Sequence, residues 1–217
     1  MEVILRDYRR EDKPQVVAVF RDSSESLRQS RGGMHSDEAI DRLLKMKDAE
    51  LMLLLAAGTK LIVAEVKETG EIIGTGGLSS GPVDRIVGSV YSTTHYVKSN
   101  FQRGKAGVGV GSLLRTETLA RAAKIGCRKM YGFSNPEAVG FHTKFGARFF
   151  PLHDREYLKP PIRLKYYEIV LRPSWWNILR IEPFVFTLNE FVILLYALKL
   201  LIFGMPKMKA KPRTSQS

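Results

Sequence analysis

The chain has 217 residues, 44% of them hydrophobic and 26% charged, the make-up of a globular protein, which excludes disorder over its body. Its formal charge of +12 draws it toward polyanions, but no nucleic-acid motif accompanies the charge, so a specific nucleic-acid partner is not expected. A single cysteine, Cys127, excludes an internal disulfide and points to a reducing compartment, and His35, His95, His142 and His153 lack metal-ligand spacing.

Residues 3–5 predict a short first strand. Asp12 stands where it can cap a helix, and Val16, Val17, Val19 and Phe20 follow at helical spacing. A polar loop is expected over 23–34. A second helix then starts near Ser36 or Asp37, carries Ile40, Leu43, Leu44 and the apolar run 51–57, and ends at Gly58. Residues 61–66 read as a strand, Glu68-Thr69-Gly70-Glu71 as a turn and 72–74 as a returning strand, which together predict a hairpin. The β-branched and aromatic stretch 86–97 predicts a long strand. A glycine-rich run ending at Ser112 leads into a helix with Leu113, Leu114, Leu119, Ala120 and Ala123 on its apolar side and Gly126 at its end. Cys127, just after that glycine, reads as a buried structural thiol. Residues 129–134 predict a strand, 136–144 a short helix, Phe149 the start of a strand, and 166–171 a closing strand near Pro173.

The strand, glycine run and helix form the most informative unit. A helix N-terminus offers unpaired N–H groups and a partial positive charge, and glycines let a ligand approach the backbone. Such a corner suits a phosphate or pyrophosphate; a plain glycine-rich turn is the other reading. A Walker-type loop fails because Lys105 precedes the glycine run and is followed by Ala106. A dinucleotide fingerprint is weak, since Gly107, Gly109 and Gly111 are spaced by two in mid-chain. A coenzyme A pyrophosphate loop is the third alternative.

Further letters sharpen the choice. Val97 precedes Phe101-Gln102-Arg103-Gly104-Lys105, the glycine run and Leu113-Leu114; then come Gly126-Cys127, Asn135, Ala138 and Phe141-His142-Thr143-Lys144-Phe145-Gly146-Ala147. This order resembles the core of the GNAT N-acetyltransferase superfamily, and the likeness extends over residues 3–173. The resemblance implies an α/β (α+β) fold with a central mixed β-sheet flanked by helices. It implies acetyl-CoA as co-substrate and an amine acceptor, with the pantetheine arm lying between two splayed strands. Cofactor contacts would fall on Tyr96, Val97, Gln102, Arg103, Gly104, Lys105, Gly107, Val108, Gly109, Val110, Gly111, Ser112 and Asn135. The N–H near Val97 would meet the developing oxyanion. Asn135 equally reads as a cap for the helix at Pro136.

Two departures stand out. Counted back from Gly126, the Gln102-Arg103-Gly104-Lys105 group sits about two residues too far upstream, so the loop is longer than the family's usual one. His142 also stands where the family often has a tyrosine that protonates the departing thiolate. A histidine titrating near neutrality can do this work, and a helix-surface residue is the bland alternative. For the base, His95, Glu65 and Asp84 are the candidates in that order, with a structural role the commoner one for a strand histidine. Arg31, His35, Asp84, Tyr91, His153 and Tyr157, on the acceptor side, are mixed in character and point to no acceptor class.

Residues 1–173 are thus expected to form one GNAT-like domain and 174–217 an appendage. Trp175 and Trp176 lead into a hydrophobic segment at 184–205, expected as a helix and interrupted by Thr187, Asn189, Glu190 and Lys199, with a basic tail behind it. The uninterrupted run is shorter than the about 18–20 residues a spanning helix needs. It can lie on a bilayer, cross it as an anchor, or pack on protein. No signal peptide is read after Met1, so the expected location is the cytoplasmic side. A catalytically weak CoA-binding or membrane-tethered module and a nucleotide-binding domain are the alternatives to an enzyme.

Overall fold

The computed structural model describes residues 1–30, 41, 59–81, 84, 87–102, 109–157 and 162–174. The expected second helix, the core of the glycine run and the hydrophobic appendage lie outside the described residues. The strands are β1 (Val3–Asp7), β2 (Lys60–Val66), β3 (Glu71–Ser79), β4 (Ser89–Val97), β5 (Lys129–Ser134), β6 (Arg148–Phe149), β7 (Arg155–Tyr157) and β8 (Ile162–Val170). The helices are α1 (Lys13–Ser30), α2 (Val110–Lys124) and α3 (Val139–Thr143). The strands form a mixed sheet in the order β1-β2-β3-β4-β5-β8-β6, with β7 paired to β8. Among the paired strands, β4 and β5 run parallel and the others antiparallel.

Period-two alternation sends neighbouring residues of β2 into different cores. Leu61 and Val63 join Ile72 of β3 beneath Val16, Val19 and Phe20 of α1. Ile62, Ala64 and Val66 join Ile73 and Val97 beneath Val110 and Leu114 of α2. The central strands are therefore covered on both faces, which explains why they read as nearly continuous apolar runs. A third cluster, with Leu78, Val90, Met130, Tyr167 and Ile169, continues the α2 side toward β5 and β8. Close seating of α2 depends on glycine: a Cβ on Gly74 would come within 2.8 Å of Leu114 Cδ1, and one on Gly76 within 3.2 Å of Thr118 Cγ2.

Several expectations shift. The loop placed from Ser23 is instead the second half of α1, because Ser23 and Ser24 are small enough to be buried on its inward face. The long strand starts at Ser89 and not at 86, since Gly88 turns the chain with φ +66°. Residues 136–143 split into a 3-10 turn and α3, and the closing strand begins at Ile162. The buried face of α2 is Val110, Leu114, Arg115, Thr118 and Ala122, whereas Leu113 is 39% exposed. Arg115 and Thr118 interrupt the apolar stripe, so hydrophobic spacing finds Leu114 and the partly buried Leu119 but only part of the inward face. Cys127 is buried, as expected, and burial pushes its thiol up to about 11. Among the described residues no helix is long and apolar enough to cross a membrane.

Asp12 does not head α1 as a simple cap. It closes the 3-10 turn before α1, accepts the Arg9 N–H at 2.7 Å and takes both guanidinium nitrogens of Arg6 at 2.7 and 2.9 Å. Arg6 also reaches Glu65 at 2.5 Å, which ties β1 and β2 to the start of α1. The Arg6 contacts hold the Asp12 carboxyl below its ordinary value. A depressed carboxyl stabilises the fold above its unfolded pKa, and the contribution is lost as pH falls through the folded value. Asp12→Asn is expected to cost roughly 2–3 kcal/mol at neutral pH. In urea titrations the gap between wild type and variant should shrink below about pH 4; an unchanged gap at pH 3 would count against the carboxylate's role.

Candidate functional site

The pairing of β4 with β5 runs from Ser89 opposite Lys129 to Ser92 opposite Gly132 and stops there. Beyond that point β4 stays with β3, with Tyr96 opposite Thr75 and Val97 opposite Gly74. Meanwhile β5 stays with β8, with Phe133 opposite Tyr166 and Ser134 opposite Lys165. Each strand is committed to its outer neighbour, so a gap opens between them. Lys98 donates its N–H to Ile73 O at 2.9 Å. In an antiparallel pair, alternate residues point the other way, which turns the N–H and C=O of Val97 into the gap. Its carbonyl accepts the Gln102 side-chain amide at 3.0 Å, and Ser26 Oγ donates to Gln102 Oε1 at 3.3 Å.

A bulge lies on β4 beside the gap. Thr75 faces Tyr96 while Gly77 faces Thr93, so Thr94 and His95 together oppose Gly76. Thr94 has φ +51°, the one positive φ outside glycine among the described residues, and Thr75 Oγ1 donates to its carbonyl at 2.6 Å. Such a conformation costs of order 1–3 kcal/mol and re-aims the backbone next to it.

Helix α2 begins at the open end of the gap. Gly109 adopts the left-handed conformation at φ +61°, which favours glycine, and its carbonyl accepts the N–H groups of Ser112 and Leu113 at 2.7 and 3.1 Å. No side chain caps the helix, and the N–H groups of Val110 and Gly111 find no acceptor among the described residues. An ideal Cβ on Gly111 would be 3.6 Å from both Val97 and Phe141. Gly111 is therefore where β4, α2 and α3 meet. Of the expected cofactor residues, Val97, Gln102, Gly109, Val110, Gly111 and Ser112 converge on this end. The Tyr96 ring instead packs on Phe20 of α1, with ring centroids 4.8 Å apart. Arg103, Gly104, Lys105, Gly107 and Val108 lie outside the described residues.

At the closed end of the gap stands a buried polar cluster. Arg115 donates to Ser92 Oγ at 2.9 Å and to Tyr167 OH at 3.2 Å, and its NH2 lies 3.1 Å from His142 Nδ1. His142 stacks on Tyr167 with ring centroids 4.4 Å apart and is 6% exposed. Burial, and secondarily the Arg115 charge, push His142 down to about 3. The expectation that His142 titrates near neutrality therefore does not hold. His95 also faces α2; its Nε2 lies 3.2 Å from Gly111 O, so that nitrogen carries the hydrogen, and its Nδ1 is buried without a partner. Burial holds His95 well below its ordinary value, and Arg115 adds to the effect. Sequence reasoning passed over Arg115. The signal available was its position at i+4 from Gly111, on the stripe that also holds Leu114 and Thr118.

The remaining candidates are engaged elsewhere. Glu65 is paired with Arg6. Asp84 accepts from Gly81 N, Ser89 Oγ and Tyr131 OH, each at 3.0 Å. Asn135 occupies the N-cap position of the 3-10 turn without a side-chain capping bond. On the face opposite Arg115, Tyr91, Tyr131, Phe133 and Tyr166 form an aromatic surface with ring centroids 5.4–6.4 Å apart, and the His153 ring lies 5.3 Å from Tyr166. Arg31 and His35 lie outside the described residues, and of Tyr157 only the backbone is described, in β7.

Against known proteins, the profile of the acetyltransferase (GNAT) family matches residues 20–147. No curated protein matches the chain in sequence. Among solved structures it is similar to a phosphinothricin acetyltransferase from Sinorhizobium meliloti in complex with AcCoA, at 17% identity and a TM-score of 0.57, covering 85% of this chain and 98% of that one. It is also similar to the PaiA N-acetyltransferase of Thermoplasma acidophilum in complex with coenzyme A, at 17% identity and a TM-score of 0.56, covering 78% and 99%. A ribosomal-protein-alanine N-acetyltransferase from Brucella melitensis shares 19% identity with a TM-score of 0.55 over 77% and 99%.

Both buried rings should stay neutral across the working range. Their folded pKa values lie below the unfolded one, so their contribution to stability is present above about pH 6.5 and declines as pH falls below it. Imidazole nitrogen shifts of His142 in NMR spectra are expected to remain constant from pH 8 to 5. A midpoint near 6.5 would show that the Arg115–His142 contact does not exist in solution.

Proposed function

Because the chain belongs to the GNAT acetyltransferase family, we propose that it moves an acetyl group from acetyl-CoA to a primary amine of a protein or small molecule. The observation that carries this reading is the parting of β4 from β5 after Ser92 and Gly132, beside a helix that starts with uncapped N–H groups. The S. meliloti relative is described in complex with AcCoA and the T. acidophilum one with coenzyme A. In this proposal the first turn of α2, with Gly109, Val110, Gly111 and Ser112, receives the pyrophosphate. The gap-facing amide of Val97 pairs with the pantetheine arm, and Gln102 exchanges its bond to Val97 O as the arm enters. Asn135, at the end of β5, lies where the second strand turns away. The backbone re-aimed by the bulge at Thr94 and His95 supplies donors for the thioester carbonyl.

The acceptor must arrive as a free amine or lose a proton on the way. His95, Glu65 and Asp84 are each held in other contacts, which supports deprotonation by water at the acceptor side. The same observation favours, as a second reading, a CoA-binding module with weak catalysis. Release of free thiol from acetyl-CoA, followed over a panel of primary amines, separates the two. The enzyme reading expects turnover with at least one amine class, and calorimetric binding of CoA with no thiol release on any amine would favour the module. Calorimetric binding of ATP or NAD in place of CoA would replace both readings with a nucleotide-binding domain.

The hydrophobic segment 184–205 and the basic tail behind it support a further part of the proposal, association with an anionic bilayer on the cytoplasmic side. Full-length chain is expected to co-sediment with anionic liposomes and a chain ending at residue 173 to remain in solution. Equal, negligible sedimentation of both would remove the membrane from this reading.

A further inference from the structure

One hydrophobic cluster gathers the ends of five elements. Ile125 follows α2, Cys127 precedes β5, Phe145 follows α3, Ala147 and Phe149 hold β6, and Leu171 follows β8. Each of them has a cation as its neighbour in the chain: Lys124, Arg128, Lys144, Arg148 and Arg172. All five cations are exposed. The backbone ties the corner together, since Leu171 donates its N–H to Arg128 O at 2.8 Å and Arg128 donates its own to Gly88 O at 2.7 Å. None of the five side chains is paired with a carboxylate among the described residues. The carboxylates on the same elements are engaged: Glu168 takes Lys129 and Tyr166 OH, Glu117 takes Arg121, and Asp84 takes Gly81 N, Ser89 Oγ and Tyr131 OH. The corner therefore carries an uncompensated positive field.

Apolar side chains stand exposed beside it. Val170, opposite Lys129 on β8, is 67% exposed, and Leu152, two residues past the Phe150 N–H that bonds Tyr166 O, is 97% exposed. The chain also leaves the described residues here. Arg172 is followed by Pro173 and Ser174, then by Trp175-Trp176, the hydrophobic segment 184–205 and Lys207, Lys209, Lys211 and Arg213. A nucleic-acid backbone would attract the cations equally but gains nothing from bare valine and leucine. An anionic bilayer uses both, with tryptophans at its headgroup level.

We propose that this corner, centred on Arg128, Arg148 and Arg172 with Val170 and Leu152 beside them, is the face that the domain lays on an anionic bilayer. The inference rests on the bilayer part of the reading above and is independent of acetyl transfer. One weak signal gives only marginal, reversible membrane binding, and two together give a stable hold; tail and corner are the two. The contact also sets the orientation of the domain. Ser89, opposite Lys129, is the corner end of β4, and Val97 is the other end. Nine residues at roughly 3.3 Å each put the open end of the gap about 25 Å from the lipid. That exceeds the Debye length of about 8 Å, so the negative headgroups do not repel an anionic ligand entering beside α2.

The test is flotation of the full chain with vesicles of phosphatidylcholine, with and without phosphatidylserine. A cation near an anionic surface strengthens binding roughly fivefold, so Arg128→Gln, Arg148→Gln and Arg172→Gln together should weaken binding to the anionic vesicles on the order of 100-fold. The same change of charge at the other edge of the sheet, in exposed Arg10→Gln, Lys13→Gln and Lys60→Gln, should leave binding as in the wild type. Equal weakening in the two variants overturns the corner while the tail's attachment to lipid stands. A wild type that floats with neither vesicle removes the bilayer reading and the corner with it. Loss of duplex-DNA binding in the first variant with vesicle binding intact would assign the corner to nucleic acid instead. Orientation has its own readout, because the native Cys127 is buried. An environment-sensitive fluorophore attached at Val170→Cys should shift to the blue on anionic vesicles, and one at Asn100→Cys, past the open end of the gap, should not. Equal shifts at the two positions overturn the proposed face.

Discussion

The divided loyalty of two adjacent parallel strands organises this protein. β4 is bound along its length to β3, and β5 to β8, and the pair share hydrogen bonds only as far as Ser92 and Gly132. Past that point each strand already has one full edge of backbone bonds, so parting leaves only the inner edges unpaired. Those edges are polar groups that need partners. Gln102 meets one of them, the carbonyl of Val97. An extended, amide-bearing ligand carries the donors and acceptors to meet the others.

What surrounds the gap differs between its two faces. The α2 side is closed by Arg115, His142, His95 and Phe141, a packed layer in which burial, with the Arg115 charge adding to it, keeps two imidazoles neutral. The other face carries tyrosines and a phenylalanine on β4, β5 and β8, with Asp84 and Glu168 bonded to two of the tyrosine hydroxyls. Charge on one side and aromatic surface on the other divide the labour physically. A low dielectric and fixed dipoles favour stabilising charge that appears during bond breaking, and aromatic faces favour holding a cationic or apolar partner.

Much of the fold was legible from local pattern. Alternation marked β2, turn residues marked the hairpin, and Gly126 marked the end of α2, because each signal is contained in a short window of chain. The start of α1 was legible, but its length was not, since buried Ser23 and Ser24 look polar in the sequence. The inward face of α2 was legible only in part for the same reason: Arg115 is buried because partners from β4, β5, α3 and β8 receive it, and Thr118 because its hydroxyl bonds back to the Arg115 carbonyl.

The sequence by itself determined the order of elements, the helix after a glycine run, and the family likeness, all of which are written in neighbours along the chain. It also supplied His142 and Arg115 as letters, but not their protonation or their meeting. Only the tertiary structure decided where β4 and β5 separate, where Thr94 bulges, and that a guanidinium lies beside an imidazole at the end of the gap. The physical reason is distance along the chain. Ser92, Arg115, His142 and Tyr167 come from four different elements, and the low-dielectric setting that fixes their charge states exists only once those elements have packed.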